Sequence, residues 1–399
     1  MKIAIIGGGA AGFFLGAQLA PPFFVHIFEK AATPLQKVKI SGGGRCNVTH
    51  ACFDPALLVD YYPRGNKELR SVFGRFQPGD TMAWFEDRGI PLKIQEDMRV
   101  FPASDNSMDI VECLIRENQK NNHQISLNEA VKEMNPIADG FEIKTTKAVY
   151  EFDKVVFAPG ASKQAWQMIE KLGHSIISPV PSLFTFNCKE VRIEGLQGTS
   201  FSNAEIKIRN SSLENTGDLL LTHWGFSGPA VLVLSAWGAR QLFDLNYRFE
   251  IEINFINYTT QEAYEQLLEI KQENPAQKCS RFAPFNLTKR FWISILNYLN
   301  IKVEKSWNNL NDKDLRKIAD ELTRGIYSIH GKSTFKDEFV TAGGVDLKEI
   351  NFKTMESRLI PGVYFAGEIL NIDAVTGGFN FQACWSESFI ISESLKNIL

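Results

Sequence analysis

The chain opens KIAIIGGGAAGFFLGAQLA, and no other stretch restricts its possible folds so sharply. Ile3 to Ile6 read as a short buried strand, a glycine turn follows, and an Ala- and Leu-rich run reads as a helix. VHIFEK at 25 to 30 supplies a second strand. Within the turn, Gly7, Gly9 and Gly12 satisfy G-x-G-x-x-G. The first permits the tight turn, the second lets the backbone approach a diphosphate, and the third lets helix and strand pack closely. Free N–H groups at the helix start, from Ala10 and Ala11 onward, would receive the diphosphate where the helix dipole favours negative charge. Glu29 falls 17 residues after Gly12, at the end of the second strand beside Lys30. There its carboxylate can accept from both ribose hydroxyls of an adenosine and would repel a 2′-phosphate. A tight turn in an apolar core would explain the glycines but not Glu29.

Residues 3 to 28 contain no Asp, Glu, Lys or Arg, a pattern that a hydropathy window reads as a signal peptide or a membrane span. The glycines interrupt that stretch, Pro21-Pro22 end it, and Lys2 alone makes a thin basic flank, so a buried nucleotide fold is expected instead. At 399 residues the chain exceeds a single core, and two or more domains are expected. An apolar fraction of 44%, a charged fraction of 22% and a mean hydropathy of -0.14 fit a soluble globular protein. With 43 Lys and Arg against 46 Asp and Glu, and no run of five like charges, neither nucleic acid nor membrane is an expected partner. The six cysteines, at 46, 52, 113, 188, 279 and 384, form no CxxC, which fits reduced thiols in a cytoplasmic protein. The histidines stand apart without HExxH, so no metal is expected, and Ser227 in GFSGP reads as a turn residue.

The far end of the chain selects among dinucleotides. After strand-like residues 363 to 366 come Gly367-Glu368 and then TGGFNFQACWSESFIISESL, a Gly-Gly turn opening an amphipathic helix. A nucleotide domain assembled from both chain ends suits FAD, bound non-covalently. Glu368 could bond a ribityl hydroxyl. The helix opened by Gly377, Gly378, Phe379 and Asn380 could aim N–H groups at the flavin edge that gathers charge on reduction. A glycine-capped surface turn is the other reading. SGGGRCN can form a second glycine loop, in which Ser41, Gly42 and Gly43, with Arg45, Cys46 and Asn47, approach flavin or diphosphate. Cys46 has no cysteine two residues away and reads as structural.

Several long strings carry a family resemblance: GGGAAG, KISGGGRCNVT at 39 to 49, RVFP at 99 to 102, FAPGA at 157 to 161, LLLTHWGFSGPA at 219 to 230, VTAGGV at 340 to 345, and TMESRLIPGVYFAGEILNIDAVTGGFNFQ at 354 to 382. Through them the chain resembles the bacterial BaiN-like, aminoacetone-oxidase-type flavoproteins within the glutathione-reductase-like FAD superfamily. The resemblance implies an FAD-dependent oxidoreductase. It also implies an adenine contact from the Val131 backbone, and cofactor contacts in the turn holding Ala158 and Gly160. Asp373-Ala374-Val375, where Asp-Gly is expected, and His50 depart from the pattern.

The fold class expected is α/β plus β: a Rossmann-like FAD domain from residues 1–190 and 335–399, carrying an inserted β-barrel-like domain. Residues 141 to 158 read as a small meander returning a strand to the nucleotide sheet. From about 190 short strands dominate, including FEIEINF at 249 to 255 with strict alternation, and the inserted domain takes 191–258 and 326–334. Three helical stretches, the first opening on a Thr cap and the last ending at Gly325 as a C-cap, make a helical insert at 259–325. No second G-x-G-x-x-G follows a strand, so NAD(P)H would serve as a transient electron donor. His223 and Arg99 are the candidate catalytic or substrate-binding residues. The expected activity is reduction of a small unsaturated or carbonyl compound. An amine or aminoketone oxidase using oxygen, and a non-catalytic FAD-binding sensor, are the alternatives; the oligomeric state is left open.

Overall fold

A computed structural model describes residues 1–333 and 340–398. The chain divides into two compact units, Met1–Val180 with Lys336–Leu399, and Pro181–Phe335. The junction expected between 334 and 335 lies outside the described residues.

In the first unit, β1 (Lys2–Ile6), α1 (Ala10–Gln18) and β2 (Phe24–Phe28) form the opening strand–helix–strand. β1 is the middle of a parallel array: Lys154–Phe157 and Val363–Phe365 lie on one side, β2 and Gln124–Ser126 on the other. Two short antiparallel strands, Glu356–Ser357 and Ile350–Asn351, complete the seven-stranded sheet. Both chain ends therefore build one nucleotide sheet. Every residue of α1 from Ala11 to Ala17 is buried, because the helix is enclosed by neighbours rather than lying on a surface. The C-terminal helix, Phe379–Lys396, packs along it and ties Ser388 Oγ to the Ala11 carbonyl at 2.9 Å. Helix Met108–Lys120 contributes Asn118, whose amide donates to the Phe13 carbonyl at 2.8 Å. Most of the uncharged stretch from 3 to 28 is thus buried in and against the nucleotide sheet, and among the described residues no helix is long and apolar enough to cross a membrane.

A separate antiparallel meander, Val131–Ile137, Gly140–Thr145 and Val149–Phe152, precedes strand Lys154–Phe157. This is the return to the nucleotide sheet that the alternation at 141 to 158 foretells.

The second unit holds a seven-stranded antiparallel sheet in the order Gly325–Ile329, Phe249–Asn254, Ser200–Ile208, Glu214–Leu221, Gly225–Ser227, Thr185–Asn187, Lys332–Ser333. In FEIEIN the alternation puts Ile251 and Ile253 into the core. Helices Thr260–Glu273, Lys289–Tyr298 and Asp312–Arg324 start on the side-chain caps of Thr259, Thr288 and Asn311. They share one core with the sheet: Trp292, Leu315 and Ile318 belong to the same buried cluster as Ile206 and Ile251.

Candidate nucleotide site

The glycine turn is held by contacts that leave no room for side chains, with one exception. A Cβ at Gly7 (φ +116°) would lie 2.4 Å from the Ala158 carbonyl, and one at Gly12 would lie 2.2 Å from the Gly7 carbonyl. At Gly9 a Cβ would meet nothing within 4 Å, and φ is an unstrained -91°. The protein's own packing gives no reason for glycine there; a ligand approaching the turn does. Gly9 caps α1 without a side-chain hydrogen bond, so the first N–H groups of the helix, at Ala10 and Ala11, stay available to an anion.

Glu29 stands beside this turn, and both its oxygens are oriented by backbone: the Gly8 N–H donates to Oε2 at 2.8 Å and the Ala31 N–H to Oε1 at 2.7 Å. Each oxygen keeps lone pairs for ribose hydroxyls. Lys30 is exposed. A cavity opens here between Gly7, Glu29, Val131, Pro159 and Met168, in the place expected for an adenosine. Val131 forms its wall and its carbonyl is taken by Gln164 Nε2 at 3.2 Å. Nearby Glu129 is held below its ordinary carboxylate range by hydrogen bonds from Thr145 and Tyr150, despite burial that works the other way.

Beyond the turn, α2 (Gln36–Gly44) leaves helical geometry at Ser41, and Gly42, Gly43 and Gly44 all take positive φ. The expected glycine loop is thus the end of a helix unwinding into left-handed backbone. Space is open at Gly43 and Gly44. Cys46 is fully buried, its N–H donates to the Ser41 carbonyl at 3.0 Å, and burial pushes its thiol up to about 12, consistent with a structural role. Arg45 lies over the Phe101 ring, 4.2 Å from its centroid, and 3.8 Å from Asp105. Asn47 is buried, and its Oδ1 has no partner among the described residues. A Cβ at Gly378 would come within 2.8 Å of that atom, so the Gly-Gly turn and the SGGGRCN loop meet.

Gly160 lies close to Glu368. Glu368 is gripped by Lys37 at 2.6 Å and by the Thr341 N–H at 3.0 Å, while the buried Thr341 hydroxyl has no partner among the described residues. Gly367, with φ +79°, donates its N–H to buried Glu387 at 2.5 Å. Phe379 is buried and its ring forms one cluster with Tyr61 (4.2 Å between centroids) and His50 (4.5 Å), which also touch each other, and the Asn380 amide clamps Ala374 through both its N–H and its carbonyl. Asp373 pairs with Arg64 in a buried ion pair, and the Ala374 methyl is fully buried. Lys37, Arg64, Tyr61 and Glu387 were outside the sequence reading. None of the four carries a local signal, since each is placed by partners far away in the chain.

Of the two candidate catalytic residues, Arg99 lies opposite His50 in the antiparallel pair Thr49–His50 and Arg99–Pro102. Arg99 pairs with Asp97 at the surface, Nε to Oδ2 2.6 Å. His223 belongs to the second unit, exposed beside Trp224 at the tip of the hairpin joining Glu214–Leu221 to Gly225–Ser227.

An FAD molecule fits these residues: an open glycine turn with free helix N–H groups, an oriented ribose carboxylate, and a buried acceptor at Asn47 and a buried hydroxyl at Thr341 that have no partner among the described residues. Comparisons agree. A family model described as the HI0933-like protein Rossmann domain matches residues 1–394. The ribosomal RNA dihydrouridine synthase of Escherichia coli K12 is 28% identical over 98% of this chain and 97% of its own. The 3-dehydro-bile acid delta(4,6)-reductase of Clostridium scindens is 25% identical over 98% and 97%. Among solved structures, a 3-ketosteroid-delta4-(5alpha)-dehydrogenase from Rhodococcus jostii RHA1 shares the fold, with a TM-score of 0.51 at 11% identity over 98% and 97% of the two chains.

Proposed function

We propose that this chain, which belongs to the family of the HI0933-like protein Rossmann domain, is a flavin-dependent reductase of carbon–carbon double bonds conjugated to a carbonyl, acting on uracil in RNA. Family and fold make it an FAD-dependent oxidoreductase. The finer reading rests on one observation: two curated relatives, each matched over nearly the whole chain, are named for saturating this kind of bond. Dihydrouridine is uridine with the 5,6 double bond reduced, and that bond is conjugated to the C4 carbonyl. A delta(4,6) unsaturation in a 3-dehydro steroid is conjugated to its ketone in the same way. Ribosomal RNA is preferred because its relative is the more similar of the two. The expectation against nucleic acid rests on whole-chain charge and the lack of a run of five like charges, and this reading departs from it.

Bound FAD would supply the hydride chemistry, with NAD(P)H as the donor that refills it. The chain's own part is to hold the diphosphate on the α1 N-terminus, the ribose on Glu29 and the ribityl region beside Glu368. The BaiN-like subtype, closer in name to the steroid reductase, is the competing substrate reading.

Two measurements test this. Ribosomal RNA from a strain lacking the gene should lose dihydrouridine by nucleoside mass spectrometry and regain it on complementation. Purified protein, bleached anaerobically by NADH or NADPH, should regain its oxidised flavin spectrum with that undermodified RNA. Reoxidation by an unsaturated ketosteroid alone would move the substrate to small molecules, and reoxidation by oxygen alone with peroxide formed would overturn the reductase reading.

A further inference from the structure

Charge in the second unit is unevenly distributed. Residues 278–317 carry nine Lys and Arg against three Asp and Glu, while the rest of 181–335 carries nine against fourteen. All three acids of the basic stretch are already taken: Glu304 by Lys278, Asp314 by Lys305, and Asp312 by Arg316. Arg281, Lys289, Arg290, Lys302, Lys313 and Lys317 remain exposed with no acidic partner among the described residues.

These cations converge on a small rigid scaffold. The Cys279 N–H donates to the Lys305 carbonyl at 2.8 Å, and Trp292 Nε1 donates to the Cys279 carbonyl at 2.8 Å. The Trp307 N–H donates to the Gln277 carbonyl at 2.9 Å. Segment 277–281 therefore runs beside 305–307 and over the first turn of helix Lys289–Tyr298. The Lys305–Asp314 pair, at 3.0 Å, ties in the first turn of helix Asp312–Arg324.

Helix stability does not account for this placement. Lys289 and Arg290 occupy the first turn of their helix, where the macrodipole repels cations, and no acid offsets them. The two neighbouring helices carry Glu262, or Asp312 and Asp314, in their first turns, as stability favours. A surface that keeps cations where they weaken the helix is built for an anionic partner.

We infer that the 278–317 surface binds the phosphate backbone of the RNA substrate. The inference rests on the RNA reading above. Backbone contacts of this kind position a nucleic acid without reading its sequence and weaken steeply with salt.

The test uses full-length flavin-loaded protein and the variant Arg281→Glu/Lys289→Glu/Arg290→Glu, with deproteinised ribosomal RNA from the deletion strain as probe. Binding is measured across a KCl series. Loss of three phosphate contacts should lower the slope of log affinity against log salt by about 2 to 3, and weaken binding at least tenfold at moderate salt. The variant should keep its flavin spectrum and its melting temperature, since an acid in the first turn suits the dipole. If the triple variant loses flavin, the Gln replacements at the same positions take its place. Unchanged affinity and slope in a flavin-loaded variant would overturn the inference. So would a variant that loses binding to phosphatidylglycerol vesicles but not to RNA. Dihydrouridine in complemented cells separates this from the substrate reading. A wild type that binds RNA through this surface yet restores no dihydrouridine sinks the reading and leaves the surface. Full restoration by a variant with unchanged binding sinks the surface and leaves the reading.

Discussion

Glu387 lies fully buried in the C-terminal helix, with one oxygen on the Gly367 N–H and the other without a partner among the described residues. Burial pushes its carboxyl up to about 8 from an ordinary 4.5, which favours the protonated form in the fold over that range. Between those two values the unfolded chain releases this proton while the folded chain keeps it. The folded state then binds more protons, and its stability falls as pH rises through the window, by on the order of 1 kcal/mol per pH unit. Glu387→Gln, which cannot ionise, should flatten that slope, so its melting temperature should drop less between pH 5 and pH 8 than the wild type's, the interval on which the shifted value bears. Equal slopes in the two proteins would mean that Glu387 is charged in the fold. The sequence makes Glu29 visible because a motif fixes its distance from the glycine turn. Glu387 is hidden because only the packing of α1 against its helix shows that a serine-flanked carboxylate faces inward.

At the scale of elements, the β1–α1 turn separates glycines required by the fold from one required by a ligand. Gly7 and Gly12 touch backbone, so a methyl at either forces strand and helix apart. Gly9 has open space and ordinary φ, so Gly9→Ala should leave the unfolding free energy of the flavin-free protein within about 0.5 kcal/mol of wild type. The same variant should purify without yellow colour and bind added FAD much more weakly, because the methyl occupies the path of the diphosphate. Retention of flavin at wild-type affinity would place the cofactor elsewhere. Strand, turn and helix here were legible in the sequence because their determinants lie within a single run of about thirty residues. The loop before the Gly-Gly turn was not, since it is set by the Arg64–Asp373 pair and by the stack of His50, Phe379 and Tyr61, partners brought together only by the fold. The SGGGRCN glycines are legible as a loop, whereas the helix preceding them is not, because glycine and lysine dilute its apolar pattern.

For the whole molecule, chain order dictates how the two units can form. The first is assembled from residues before 181 and after 335, and its central sheet is incomplete until Val363–Phe365 joins Lys154–Phe157. The second is one continuous segment whose sheet and three helices close over a single cluster that includes Trp292, Trp307 and Tyr327. Alternation in FEIEINF and the capped helical stretches were readable because each is a local pattern; that sheet and helices would share one core depended on side chains separated by more than a hundred residues. A continuous segment with its own core needs no help from the chain ends to fold. Residues 181–335 produced alone should therefore be folded, melting cooperatively with mixed strand and helix circular dichroism. On the proposed placement of FAD at the glycine turn of the first unit, adding it should raise the melting temperature of the full chain and leave that of the fragment unchanged. A fragment that is unfolded would show that its cluster depends on the chain ends, and one stabilised by FAD would put part of the cofactor site in the second unit.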